Sequence, residues 1–311
     1  MSTTTPQLDL TPEERASLAK MSTTGRAAAN AKKRLTSPWA SFFAVVLAVL
    51  WTIPTFGLLL TSFRPELLIK TTGWWTIFTN PELTFANYQT VLSTEGSAGL
   101  GNYFVNSFVI VIPSVLIPIC LATLAAYAFA WIDFRGRNFL FVLVFALQIV
   151  PIQVTLLPLL TLYVDAGLAG TFWPIWLSHS AFALPLAIFL LHNFMKEIPR
   201  ELIEAARMDG AGHVKILFGV LLPLMKPALA AFAIFQFLWV WNDLLVALTF
   251  AGGGTDVAPI IVGLANLSGT RDTAWHLLSA GAFVSMIVPV VVFLSLQRYF
   301  VRGLLAGGLK G

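Results

Sequence analysis

The chain is dominated by long runs that carry no charged side chain. Leu35 to Phe63 has none. Neither do Gly96 to Ile132, Asn138 to Val164, Ala166 to Met195 and Trp275 to Gln297, and Pro227 to Phe250 has only Asp243. About 20 apolar residues of helix cross the hydrocarbon core of a bilayer, and each run supplies that length. Charged residues make up 11% of the chain, against about 25% in soluble domains, too few to solvate a globule of this size. These runs predict an all-α polytopic membrane protein with six transmembrane helices, roughly 39–62, 104–131, 139–163, 172–195, 227–250 and 275–297.

Proline recurs inside the spans, at Pro54, Pro113, Pro118, Pro151, Pro158, Pro185 and Pro289. Membrane bundles tolerate this where neighbouring helices supply donors to the carbonyls that proline frees. Trp and Tyr cluster near span ends, as at Trp39, Tyr103, Trp131, Trp173 and Trp275, where such rings anchor in the headgroup region.

Lysine and arginine set the orientation. With the N-terminus inside, only Arg64, Lys70 and Arg271 fall on the outer side, and the other 16 of the 19 basic residues fall on the inner side. The positive-inside rule therefore puts both termini and the loop 196–226 in the cytosol. Residues 1–34 are polar, Ser/Thr/Ala-rich and end in Lys32-Lys33-Arg34, which reads as a cytosolic tail preceding a membrane domain over 35–311.

The loop 196–226 has its own pattern. Pro199 suits a helix start, Arg200 to Met208 favour helix, and Gly210 and Gly212 break it. A second short helix is expected over 213–222. Leu202, Ala205, Ala206 and Asp209 fall near one stripe, with Glu204 beside the small alanines. On periodicity alone this segment reads either as a docking helix for another protein or as a helix lying on lipid headgroups.

Glu204-Ala205-Ala206, three residues, Gly210, nine residues, Val220, one residue, then Leu222-Pro223 resembles the EAA loop of binding-protein-dependent ABC importer permeases. The family has Ile where Val220 stands. The resemblance runs from about Thr84 to Gly311 and is similar in particular to carbohydrate-uptake permeases of the maltose type, the MalG-like member of the pair. Asn106-Ser107, the run Ala125 to Ala130 leading to Phe134-Arg135-Gly136-Arg137, Pro151-Ile152-Gln153, Trp241-Asn242-Asp243 and the ending Arg298 to Gly311 carry it. It implies a cytosolic coupling helix in which Glu204, Ala205, Ala206, Asp209, Gly210, Leu222 and Pro223 meet an ATPase subunit. It implies that the tail 303–311, with Gly307 and Gly308, meets the ATPase pair. It also implies that the outer loop 251–274, through Asn266, Ser268, Gly269 and Thr270, meets a binding protein.

The expected partners are a second permease, two ATPase subunits, an extracellular or periplasmic sugar-binding protein and the lipid of the bacterial cytoplasmic membrane, without nucleic acid. No Gly-x-x-x-x-Gly-Lys-Ser/Thr sequence occurs, so no cradle for ATP phosphates is present. ATP and Mg are expected on the partner ATPase and no cofactor on this chain. Nothing groups as a catalytic constellation, and the four histidines are too scattered for a metal site, so the chain reads as a transport subunit.

Polar residues within spans are costly and mark either a pathway or interhelical bonding. Gln153, Asn242 and Asp243 are candidates for the translocation path. Asp243 reads equally as a structural carboxylate paired with a neighbouring helix. Gln148, Gln153 and Gln236 are weaker candidates, each reading more simply as an interhelical donor.

Overall fold

The computed structural model describes residues 38–96, 99–268 and 274–308, with the backbone alone from 298 onward. The expected tail 1–34 lies outside the described residues. All regular structure among the described residues is helical. The chain divides into two compact units, 1–58 and 59–311. The described part of the first belongs to helix α1 (Pro38–Ser62), whose apolar side chains are almost all exposed, as suits a helix surrounded by lipid or another subunit.

In the second unit, short helices α2 (Glu66–Thr71) and α3 (Ala86–Leu92) precede the long α4 (Gly101–Trp131). Then come α5 (Arg137–Ala146), α6 (Ile152–Asp165) and α7 (Trp173–Lys196). Helix α8 (Arg200–Met208) leads to α9 (His213–Ile216) and α10 (Leu222–Asn242). Helices α11 (Leu245–Ala251), α12 (Ile260–Ser268) and α13 (Trp275–Gly308) complete the described chain.

Helices α4 and α7 form the most extensive pair. Their interface uses small residues: Ala122, Ala126 and Ala130 on α4 against Ala183 and Ala187 on α7, all buried in one cluster with Leu191, Met195 and Phe232. Close backbone approach through small side chains is how membrane helices gain dispersion energy when lipid removes the hydrophobic drive. A second cluster, around Trp241, Ile110, Ile175 and Val262, fills the other end.

Three proline-freed carbonyls are satisfied by side chains of neighbouring helices. Pro113, Pro118 and Pro289 leave the carbonyls of Val109, Ser114 and Ser285 without their i+4 amide donors. Trp176 Nε1 donates to Val109 O at 2.9 Å, Gln236 Nε2 to Ser114 O at 3.1 Å and Trp241 Nε1 to Ser285 O at 3.1 Å. Each donor sits on a different helix from its acceptor, so every such proline also staples two helices. Gln236 is thereby an interhelical donor, as its residue type suggested.

Four details depart from the sequence expectation. The third span is not one straight helix: α5 with its 3₁₀ extension to Ile149, and α6, are bent by 97° about Val150-Pro151. Five helices are by themselves long and apolar enough to cross a membrane, and this bent pair makes a sixth.

The fifth span runs from His213 to Asn242 rather than over 227–250. It stops at Asp243 because that carboxylate accepts a hydrogen bond from Val246 N at 3.0 Å, which caps α11 and competes with helix continuation. The short helix expected over 213–222 is continuous with this span. A π-turn over Leu217–Leu221, closed by Leu222 N on Leu217 O, absorbs the misfit of Pro223.

The segment 251–274 is not a plain linker. Within it α12 is a buried apolar helix too short to cross a membrane. A Cβ on Gly263 would stand 2.8 Å from Leu100 Cδ2 and 3.0 Å from Tyr103 Cγ, so glycine is what lets α12 press against α4.

Candidate functional site

The loop after α7 is built around one buried side chain. Ile203 is 1% exposed and joins the alanine-rich cluster, with Ala206 and Ala211 half-buried beside it. This holds α8 flat against the bundle and turns Glu201, Glu204, Ala205 and Met208, spaced i, i+3, i+4 and i+7, away from it. Met208 is 88% exposed. The inward face is therefore Ile203 with Ala206; of the stripe Leu202, Ala205, Ala206 and Asp209, only Ala206 turns toward the bundle and the other three are exposed. Ile203 was overlooked because a single isoleucine in a polar helix gives no repeating pattern.

Helix α8 ends in a Schellman motif. Gly210 N donates to Arg207 O at 2.9 Å and Ala211 N to Ala206 O at 2.9 Å, with Gly210 at φ +77°. Nothing lies within 4 Å of a Cβ built there, so glycine is required for its backbone conformation and not for space. Asp209 and Gly210 are exposed. Leu222 is half-buried and Pro223 exposed at the start of α10.

A small cavity of about 120 Å³ opens beside α8, lined in part by Trp131, Asp133, Arg137, Arg200, Glu204 and Arg207. Arg137 and Asp133 pair at 2.7 Å. The Trp131 Nε1 atom is buried and has no partner among the described residues. The notch thus offers charges of both signs to an incoming side chain.

A second cavity, of about 400 Å³, sits at the break between α5 and α6. Its walls include Gln148, Pro151, Gln153, Thr155, Ala181, Phe182 and Pro185. Neither Asn242 nor Asp243 is among its lining residues. Asn242 is exposed and its Nδ2 donates to Leu238 O at 2.8 Å. Asp243 lies 3.6 Å from Nε2 of His179, a residue buried in α7 whose ring meets Trp239 edge-on. Gln153 therefore lines the cavity at the break, whereas Asp243 stands beside His179 and accepts from Val246 N.

At the opposite end, Asn106 Nδ2 donates to Thr255 O and Ala258 O, and Ile260 N donates to Ser107 Oγ at 2.8 Å. The Asn106-Ser107 pair thus anchors the turn into α12. Asn266 and Ser268 are exposed. Asn266 Nδ2 reaches back to Gly253 O at 3.2 Å and Ser268 Oγ to Ala265 O at 2.9 Å. Gly269 and Thr270 lie outside the described residues. The backbone of α13 remains helical through Gly307 and Gly308.

A helical bundle of this kind, with stapled prolines, an amphipathic loop packed against it and a cavity at a broken span, is that of a polytopic membrane permease. The chain belongs to the family described as binding-protein-dependent transport system inner membrane component, which matches residues 118–305. The resemblance read from the sequence is borne out, and the chain is a transport component, not an enzyme.

It is 54% identical over 270 residues to an osmoprotective compounds uptake permease of Synechocystis, covering 86% of this chain and 90% of that one. It is 50% identical over 243 residues to an alpha-glucoside transport system permease of Rhizobium meliloti, covering 76% and 63%. A melibiose/raffinose/stachyose import permease of Bacillus subtilis is 34% identical, covering 87% and 96%. A bacterial ABC transporter that imports the acidic polysaccharide alginate shares the fold, with a TM-score of 0.68 at 21% identity over 85% of this chain and 98% of that one.

Proposed function

We propose that this chain forms half of the transmembrane pathway of an ATP-driven importer for a neutral glucoside, in the bacterial cytoplasmic membrane with both termini cytosolic. A second permease completes the pathway, two ATPase subunits bind ATP and Mg, and an extracellular or periplasmic binding protein delivers the sugar. The basic residues cluster at the end that carries the loop 196–226, which supports this orientation.

The observation that carries the reading is the geometry of α8. A helix pinned by Ile203 and stopped at Gly210 presents Glu204 and Ala205 outward beside a charged notch. That is the form of a docking helix for an ATPase cleft, with Glu204 as acceptor for a partner cation. The tail through Gly307 and Gly308 is assigned to the same partner. Asn266, Ser268, Gly269 and Thr270 are assigned to the binding protein.

Relatives named for osmoprotectants and for alpha-glucosides point to sucrose as a probe, since sucrose is both a compatible solute and an α-glucoside. The test reconstitutes the permease pair, ATPase and binding protein in liposomes and measures uptake of labelled sucrose. The expected result is accumulation that requires both ATP and binding protein. Uptake independent of ATP, or none with any neutral glucoside, would contradict it.

A further inference from the structure

We propose that the break in the third span, between α5 and α6, is a subsite at which this subunit itself holds the hydroxyl groups of an uncharged sugar during passage. The proposal rests on the importer reading above and adds to it which residues of this chain touch the solute and which solutes they exclude.

The break lies near the middle of the segment 137–165 and turns the chain by 97°. Irregular backbone at membrane depth survives only where protein covers it or where it lines a water-filled cavity. Here Leu147 to Pro151 and Gln153 are exposed, so the chain's own fold leaves the break uncovered. Two amide side chains, Gln148 and Gln153, stand in the same cavity wall, and neither makes a hydrogen bond to any described residue. Facing lipid, such groups would be left without hydrogen-bond partners, which is strongly unfavourable.

The cavity also presents backbone groups. The first turn of α6 carries N–H groups that no side chain caps. Across from it, Pro185 leaves the carbonyl of Ala181 without an i+4 amide donor. At Pro113, Pro118 and Pro289 the corresponding carbonyl is taken by Trp176, Gln236 or Trp241. At Pro185 no described side chain takes it, and Ala181 opens into the cavity.

The wall therefore offers donors and acceptors together, which is what vicinal hydroxyls need, since each hydroxyl both donates and accepts. Phe182 supplies an apolar surface for the C–H face of a sugar ring. The volume of about 400 Å³ falls within the ~300–1,000 Å³ usual for small-molecule sites. Among the described residues no Asp, Glu, Lys, Arg or His lines it, so a uronate or a sugar phosphate would be desolvated there without a counter-charge from this chain's described part.

The test uses the complete reconstituted importer with Cys120 replaced by Ala, and single variants Ile149→Cys and Val150→Cys, exposed in the same cavity wall beside the two glutamines. A water-soluble methanethiosulfonate reagent should modify both cysteines, and turnover with sucrose-loaded binding protein should slow modification at least fivefold. Glucuronate, at equal concentration, should leave it unchanged. In parallel, Gln153→Leu should cut sucrose uptake per ATP hydrolysed about tenfold while binding-protein-stimulated ATP hydrolysis persists, and Gln153→Asn should recover part of the loss. Absence of modification would mean that the sister permease or lipid covers the break. Modification indifferent to sucrose would mean a solvated kink without a subsite. Either result overturns the proposal. Wild-type uptake separates the two readings: normal sucrose import with an indifferent break rejects the subsite alone, whereas absent import rejects the functional reading with it.

Discussion

The hydroxyl of Tyr127 on α4 lies 2.7 Å from Nδ1 of His213, the first residue of α9, and the two rings meet edge-on. This bond joins the helix that packs most extensively in the bundle to the turn that follows α8. The loop 197–212 is thus tied to the bundle by a directional contact to α4 as well as by the apolar packing of Ile203.

Tyr127→Phe keeps the ring packing and removes the bond. One partly buried hydrogen bond contributes about 1 kcal/mol net, so local opening of residues 210–216 should rise about fivefold. Hydrogen exchange of those amides in the purified complex measures it. Unchanged protection would show that the bond carries none of the loop's order.

Gly210 should tolerate substitution in the order Asn, Ala, Val. Its φ of +77° with open space around it makes the effect conformational rather than steric. A left-handed residue other than glycine or asparagine costs roughly 1–2 kcal/mol, and a β-branched one more. The expected outcome is membrane-inserted protein at normal abundance, with uptake falling stepwise along the series. Equal uptake for Asn and Val would contradict the Schellman assignment.

The stapled prolines give a double-mutant cycle. Trp241→Phe should lower thermal stability by stranding the Ser285 carbonyl, and Pro289→Ala should restore the helical donor that makes the staple unnecessary. The pair should show a coupling of roughly 0.6 to 1.7 kcal/mol, between the average and the largest value from double-mutant cycles on hydrogen bonds between membrane helices. Additive effects would mean that Trp241 acts by packing alone. The same test applies to Trp176 with Pro113.

What the sequence made legible was set by composition and local rules. Charge-free runs located the crossings because lipid excludes charge along the whole length of a span. Gly210 was legible because a glycine after a helix former has few other uses. Val150-Pro151 was not legible as a right-angle break, because hydropathy registers how apolar a segment is and not which way it points. Asp243 was placed inside a helix because its capping bond to Val246 depends on a backbone turn that residue type alone does not specify. Helix α12 was hidden by its glycine-rich approach, although Val257 to Leu267 is as apolar as the spans. Tyr127 and His213 are 86 residues apart, and their pairing follows only from the packing of α4 against the loop.

The central claim, that α8 couples this chain to an ATPase, rests on Glu204. Glu204→Lys lies outside every span, so insertion and abundance should be normal. A lysine there would face the partner cation, and like charges at a buried interface commonly cost a few kcal/mol. The measurement is sucrose uptake together with the amount of ATPase subunit that co-purifies with the variant. The account predicts uptake near background and loss of co-purified ATPase or of its stimulation by the binding protein. Normal uptake with a full complement of ATPase would contradict it and would leave α8 as a helix resting on anionic headgroups, where an added lysine strengthens binding.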